Sequence, residues 1–132
     1  MMKILLVEDD EDHAELAMAT IAATGLPISV THASSAEDIL RILQNDRQAL
    51  TPISDAILLD IKMPRVDGIT LLKKLKENAI TQDIPVYMTT TSSRQSDQST
   101  SLSLGAHGYL IKPFLIEDIT CVYANHNRGP AQ

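Results

Sequence analysis

The feature that most constrains the fold is a short apolar run, residues 56–59, that ends in a single carboxylate, Asp60. Four apolar residues without polar alternation are too few for a helix, and they indicate a strand that is covered on both faces. A turn at Met63-Pro64 follows, after which apolar residues recur at helical spacing from Ile69. We therefore predict a βα unit with Asp60 at the carboxyl end of the strand, the edge where open α/β sheets bind ligands.

Strand-like and helix-like patterns alternate along the chain. The predicted strands are residues 4–7, 28–33, 56–59, 84–88 and 109–111. The helical patterns follow them at residues 14–21, 39–43, 67–78, 94–104 and about 115–124. Five strands alternating with five helices predict an α/β fold with one parallel sheet, right-handed crossovers and helices on both faces.

Two segments stand apart from this regular pattern. The helix predicted at residues 94–104 has only Leu102 and Leu104 as apolar contacts, so we expect it to be loosely held. Residues 45–54 are predicted to be a polar loop. We expect residues 1–124 to form one domain and residues 125–132 to form a flexible tail.

Composition restricts the class of protein. A chain of 132 residues with 44% hydrophobic content fits one globular domain, and a net charge of −6 without a basic stripe argues against direct binding of nucleic acid. Cys121 is the single cysteine, which excludes an internal disulfide, and we expect it to be a small buried or half-buried helix residue.

The two ends of the sequence lead to expectations about the cellular location of the protein and about how it acts on other proteins. The first apolar segment is too short for a signal peptide or a membrane span, so we expect a cytoplasmic protein without a membrane partner. The stretch after the last helix leaves no room for a separate output domain. We therefore expect this chain to act through partner proteins, or to be a fragment of a larger regulator.

Polar side chains collect where four of the predicted strands end: Glu8 and Asp9, Asp60, Thr90, and Lys112. Neighbouring carboxylates repel one another unless a cation joins them, and all-oxygen ligation suits Mg²⁺. Asp60 is then a candidate nucleophile that accepts a phosphoryl group to give an acyl phosphate. The Lys112 ammonium would stabilise charge on the transferred oxygens, and the Thr90 hydroxyl would donate a hydrogen bond to one of them.

Each of these residues also has an ordinary structural interpretation. Taken alone, Asp60 is better explained as a loop anchor or helix cap, Thr90 as a β-branched strand residue and Lys112 as a surface lysine. Glu8 and Asp9 are equally well explained as caps of the first helix, a role that Asp10 can share. Their joint occurrence at separate strand ends favours a site over four unrelated features.

Four motifs resemble those of response-regulator receiver domains in two-component signalling. They are LLVEDD at residues 5–10, LLDIKMPRVDG at 58–68, IPVYMTTTS at 84–92 and GAHGYLIKPF at 105–114. The resemblance extends over about residues 3–119, and the positions of Thr90 and Lys112, 30 and 52 residues after Asp60, fit the family pattern. The resemblance implies a flavodoxin-like, doubly wound sheet with strand order 2-1-3-4-5.

The resemblance also implies a phosphorylation site that uses Mg²⁺. Asp60 is the implied phosphoacceptor, and its donor is a sensor histidine kinase or a phosphotransfer protein. Asp9 and Asp60 are implied to be direct Mg²⁺ ligands, Glu8 is implied to act through water, and the main-chain carbonyl of Lys62 is implied to be a further ligand.

The remaining family positions concern the switch. Thr90 and Lys112 are implied to contact the phosphoryl group, and Tyr109 matches an aromatic residue whose rotamer follows the threonine. Pro113 resembles the cis-proline that follows the family lysine. Phosphorylation is then expected to change the face formed by the fourth helix, the fifth strand and the fifth helix, which binds a downstream protein. The family also allows homodimerisation through that face.

Two other functions compete with this hypothesis. A metal-dependent phosphatase with an aspartyl nucleophile would need a second acid two residues after Asp60, where Lys62 stands. A pseudo-receiver would bind a protein without being phosphorylated, and the intact acidic, threonine and lysine positions count against it. We therefore expect a signalling domain rather than an enzyme, with only slow self-phosphorylation and autodephosphorylation.

Overall fold

A computed structural model of the chain describes residues 1–35, 37–39, 54–63, 67–79, 81–91 and 95–127. Its strands are β1 (Met2–Val7), β2 (Ile28–Ala33), β3 (Ala56–Asp60), β4 (Val86–Thr90) and β5 (Gly108–Ile111). All neighbouring strands pair in parallel, in the order β2-β1-β3-β4-β5. The predicted fold class and strand order are therefore confirmed.

Each strand is followed along the chain by a helix, as predicted. The helices are α1 (Glu11–Ala23), α2, of which the structure describes residues 37–39, α3 (Gly68–Glu77), α4 (Gln95–Ser103) and α5 (Ile116–Asn127). Most of the helix predicted at residues 39–43 and most of the loop predicted at 45–54 lie outside the described residues. None of the described helices is long and apolar enough to cross a membrane.

Apolar side chains bury both faces of the sheet, because the central strands alternate between two clusters. On one face, α3 contributes Leu71, Leu72 and Leu75, which pack with Ile57 and Leu59 of β3. On the other face, buried residues of α1 and α5 pack with alternate residues of β1 and β3: Ala14, Ala17, Ile21, Ile119, Val122, Leu6 and Leu58. This layering leaves the carboxyl ends of the strands as the edge at which polar side chains gather.

Aspartate caps fix the helix starts beside that edge. Asp10 is the N-cap of α1, and its side chain accepts hydrogen bonds from the backbone N–H groups of Asp12 and His13. Asp67 caps α3 in the same way, with Thr70 N at 2.8 Å from its Oδ1. Asp10, one of the alternatives for the helix cap, is therefore the residue that performs this role.

Three differences between the structure and the sequence predictions concern the last part of the chain. β4 begins at Val86 and includes the threonines at 89 and 90, because pairing with β3 and β5 continues through them. α5 extends to Asn127, three residues beyond its predicted end. Cys121 is exposed, and the prediction of a buried or half-buried position was wrong, because Ile119 and Val122 form the buried stripe of α5.

Candidate functional site

The backbone brings the predicted site residues to one edge of the sheet. Glu8 directly follows β1, and its N–H donates to the carbonyl of Ala33 at the end of β2. Asp60 is the last residue of β3 and pairs with Thr89 of β4. Lys112 follows β5, and its N–H donates to the carbonyl of Thr90 over 2.7 Å. The parallel strands β1, β3 and β5 thus bring two carboxylates and a lysine to the same edge of the sheet.

Three carboxylates form a compact cluster at this edge. One oxygen from each of Glu8, Asp9 and Asp60 lies within 4.8 Å of the others. Glu8 is 2% exposed and Asp60 is 5% exposed, so water screens their charges poorly. An all-oxygen group of this size fits a hard divalent cation such as Mg²⁺, which requires few protein ligands.

Burial also changes the ionisation of Asp60. Desolvation, followed by its hydrogen bond with Glu8, raises the pKa of Asp60 to about 7, while the positive charge of Lys112 acts in the opposite direction. A cation in this cluster would favour the ionised form of Asp60. The chemistry of the three donors fits a bound divalent ion.

The Lys112 side chain is largely buried and reaches the centre of the cluster. Its Nζ donates a hydrogen bond to Glu8 Oε1 and lies 3.4 Å from Asp60 Oδ1. A cis peptide bond links it to Pro113, as the family resemblance implies. The interpretation of Lys112 as an ordinary surface lysine is therefore wrong.

His13 lies in the same place, although the sequence analysis did not single it out. Its Nδ1 is 3.3 Å from Lys112 Nζ and 3.8 Å from Glu8 Oε1, and its Nε2 is 3.9 Å from Asp10 Oδ2. The sequence signal that could have identified His13 is its spacing from Asp10. Residues three apart lie on the same side of a helix, so His13 is expected near Asp10 and the acidic residues before it. Hydrogen bonding by the His13 backbone N–H is the main reason that the pKa of Asp10 is lowered.

The loop that follows Asp60 is held close to the cluster. The backbone N–H of Lys62 donates to Asp60 Oδ1 over 3.3 Å, and that of Gly68 donates to the carbonyl of Ile61 over 2.8 Å. The Lys62 side chain is exposed. A ligand role for the Lys62 carbonyl stays a prediction.

Thr90 and Tyr109 lie on the last two strands of the sheet. Thr90 is buried at the carboxyl end of β4, where it pairs with Ile111 of β5. Tyr109 is half-buried and packs against the apolar cluster on the α3 face. Both positions are next to the site in the fold, and their joint action as a switch stays a prediction.

A small cavity opens beside the cluster, between α1 and the segment after β5. Its volume is about 150 Å³. His13 and Lys112 line it on the polar side, and Leu16 and Phe114 contribute apolar walls. Lys112 thus lines a cavity although most of its side chain is buried.

Comparison with known proteins gives a consistent result. The family model for the response regulator receiver domain matches residues 4–123. The chain is 33% identical over 118 residues to the transcriptional regulatory protein DltR of Streptococcus agalactiae, covering 89% of this chain and 48% of that protein. It is 34% identical over 119 residues to the probable methanogenesis regulatory protein FilR2 of Methanothrix harundinacea, covering 88% and 75%.

Solved structures show the same architecture. The crystal structure of a two-component response regulator from Legionella pneumophila superimposes with a TM-score of 0.83 and 26% sequence identity. The match covers 98% of this chain and 100% of that one. The chain spans about half the length of DltR, which is one of the curated relatives that it matches. The similarity to those longer relatives therefore concerns their receiver portion.

Proposed function

The chain belongs to the response-regulator receiver family, and we propose from this membership that Asp60 accepts a phosphoryl group from a histidine kinase or a phosphotransfer protein in the cytoplasm. Phosphorylation-dependent signalling is the function of this family in two-component systems. The observation that carries the assignment is the position of Asp60, which ends β3 within the acidic cluster and lies 3.4 Å from the Lys112 ammonium.

The transfer step is a substitution at phosphorus. One carboxylate oxygen of Asp60 forms a bond to phosphorus while the bond from phosphorus to the imidazole nitrogen of the donor breaks. The leaving imidazole keeps the bonding electron pair and takes up a proton from solvent. Asp60 must be ionised to attack, so its raised pKa opposes the reaction until positive charge compensates the cluster.

The residues of the acidic cluster are the proposed ligands of a cation that compensates its negative charge. Asp9 and Asp60 are the proposed direct ligands of Mg²⁺, with Glu8 acting through water and Lys62 offering its main-chain carbonyl. Bound Mg²⁺ would neutralise the carboxylates and the oxygens of the incoming phosphoryl group.

Lys112 and Thr90 are proposed to hold the transferred group. The Lys112 ammonium already lies beside Asp60, so it needs only a small movement to contact a phosphoryl oxygen on that residue. The Thr90 hydroxyl is proposed to donate a hydrogen bond to another oxygen. Tyr109, on the neighbouring strand, is proposed to change its rotamer when Thr90 moves.

The face formed by α4, β5 and α5 is the proposed output surface. Leu102 on α4 and Ile111 on β5 are exposed large apolar side chains of these elements, and they suit contact with a downstream protein or a second copy of the chain. To test this, Ile111→Glu is compared with wild type by light scattering and partner binding after phosphorylation. We expect the substitution to abolish phosphorylation-induced association while leaving the phosphorylation of Asp60 intact.

Intact-mass spectrometry after incubation with Mg²⁺ and acetyl phosphate tests the proposed function. Wild type is expected to gain one phosphoryl group, and Asp60→Asn none. Asp67→Asn is the matched control, since it makes the same change nearby and keeps a residue that caps helices well. A folded wild type that gains no mass would favour a pseudo-receiver, and repeated turnover of phosphate esters would favour a phosphatase.

A further inference from the structure

We propose that His13 is a positioning residue that holds the Lys112 ammonium for phosphoryl transfer, an inference that rests on the proposed phosphorylation of Asp60. An ammonium group has three N–H donors and no acceptor. Among the residues that the structure describes, three acceptor atoms lie around Lys112 Nζ: Glu8 Oε1, Asp60 Oδ1 at 3.4 Å and His13 Nδ1 at 3.3 Å. His13 is thus the third of the three contacts that fix the ammonium.

The geometry determines the tautomer of His13. Because Lys112 can only donate, His13 Nδ1 must present its lone pair, and the ring proton of a neutral imidazole then resides on Nε2. That nitrogen faces Asp10 Oδ2 at 3.9 Å, which favours a proton there. Asp10 Oδ1 accepts the N–H groups that open α1, so the carboxylate is itself held in place.

A neutral third acceptor has a specific consequence for the reaction. Lysine has a flexible four-carbon stem, and ordering its ammonium costs side-chain entropy. Glu8 and Asp60 attract the ammonium, but a further carboxylate would add negative charge where a phosphoryl group must enter. An imidazole nitrogen orients the third N–H without adding charge, so Lys112 is positioned before the phosphoryl group arrives.

Substitutions that separate the two ring nitrogens test the role. The side-chain oxygen of Asn occupies the place of Nδ1, whereas the amide of Gln extends to the place of Nε2. With Mg²⁺ and acetyl phosphate, we expect His13→Leu and His13→Gln to phosphorylate about fivefold more slowly, the factor for losing one intramolecular hydrogen bond of ordinary strength. We expect His13→Asn to restore most of the rate, and His126→Leu, an exposed control on α5, to match wild type.

Equal rates for His13→Leu, His13→Asn and wild type would overturn the proposal. So would equal slowing of the Leu and Asn variants, because that result indicates a role other than accepting at the Nδ1 position. If wild type gains no phosphoryl group, the proposed function fails and the kinetic role of His13 fails with it.

Nitrogen NMR of His13 provides a second test that does not depend on phosphorylation. In the unphosphorylated protein at pH 8, we expect a protonated Nε2 and an unprotonated Nδ1 whose resonance shifts in Lys112→Met. A proton on Nδ1, or an Nδ1 resonance that does not shift in Lys112→Met, would show that the contact between His13 and Lys112 is absent. Either result would overturn the proposal even if the chain is phosphorylated normally.

Discussion

Gly68 lies directly against the main chain of Asp60, so closely that a Cβ atom at position 68 would be 2.1 Å from the Asp60 carbonyl oxygen. Its backbone N–H donates to the carbonyl of Ile61, which closes the loop between β3 and α3. The residue that carries the proposed chemistry is therefore held by a contact that only glycine allows.

Gly68→Ala is expected to destabilise the fold by about 2 kcal/mol or more, because neither backbone segment can move away without breaking its pairing. At an ordinary helix position, replacing glycine with alanine would instead increase stability, because alanine has the higher helix propensity. Urea unfolding measures the difference, with Thr70→Ala, at an exposed position in the same helix turn, as the control. A Gly68→Ala variant as stable as wild type would contradict the close approach.

Lys112→Met is expected to reduce stability by about 3 kcal/mol without Mg²⁺, since it leaves the nearly buried Glu8 without the ammonium that pairs with it. Adding Glu8→Gln should recover most of the loss, because the uncompensated charge is then removed. Urea unfolding of the two single variants and the double variant measures this coupling. Independent, additive effects would show that the pair does not interact.

Asp60→Asn is expected to stabilise the fold at pH 8 without divalent ions. The folded-state pKa of Asp60, about 7, is above its ordinary value of 3.8, so wild type loses stability as the pH rises between these values. We expect the gap to exceed about 1 kcal/mol at pH 8, because each pKa unit is worth about 1.4 kcal/mol.

Unfolding at pH 4 and pH 8 tests this relationship, and the gap between wild type and Asp60→Asn should be small at pH 4. Addition of Mg²⁺ at pH 8 should stabilise wild type more than Asp60→Asn, because the ion requires the carboxylate. An ion that stabilises both equally would count against Asp60 as a ligand.

Ser101→Ala is expected to stabilise α4 by about 1 kcal/mol, because the Ser101 hydroxyl is fully buried and has no hydrogen-bond partner among the described residues. Ser99→Ala, at an exposed position of the same helix, is the control. Hydrogen exchange of the α4 amides measures the effect, which should appear as slower exchange in Ser101→Ala than in Ser99→Ala, because the control gains only helix propensity. Unchanged exchange would indicate that water satisfies the hydroxyl.

The fold was predictable because strand and helix periods alternate along most of the chain, and the polar residues of the site follow directly after the predicted strands. Glu8, Asp60 and Lys112 could be placed together from the topology of a parallel sheet alone. Their burial and the resulting pKa of Asp60 could not, since these depend on how neighbouring side chains exclude water.

Two contacts at the site escaped sequence reasoning for a common physical reason. His13 and Lys112 are 99 residues apart, and no periodic pattern records which side chains meet across such a separation. The approach of Gly68 to Asp60 depends on the path of the loop between them. The predicted burial of Cys121 was wrong because a small residue beside the buried stripe of a helix fits either the buried or the exposed face.

Reduction of the phosphorylated protein with borohydride, followed by peptide sequencing in the mass spectrometer, tests the central claim most directly. An acyl phosphate on an aspartate is reduced to homoserine, so residue 60 should become homoserine only after incubation with Mg²⁺ and acetyl phosphate. Homoserine at another aspartate, or none in a folded chain, would contradict the assignment of Asp60 as the phosphoacceptor.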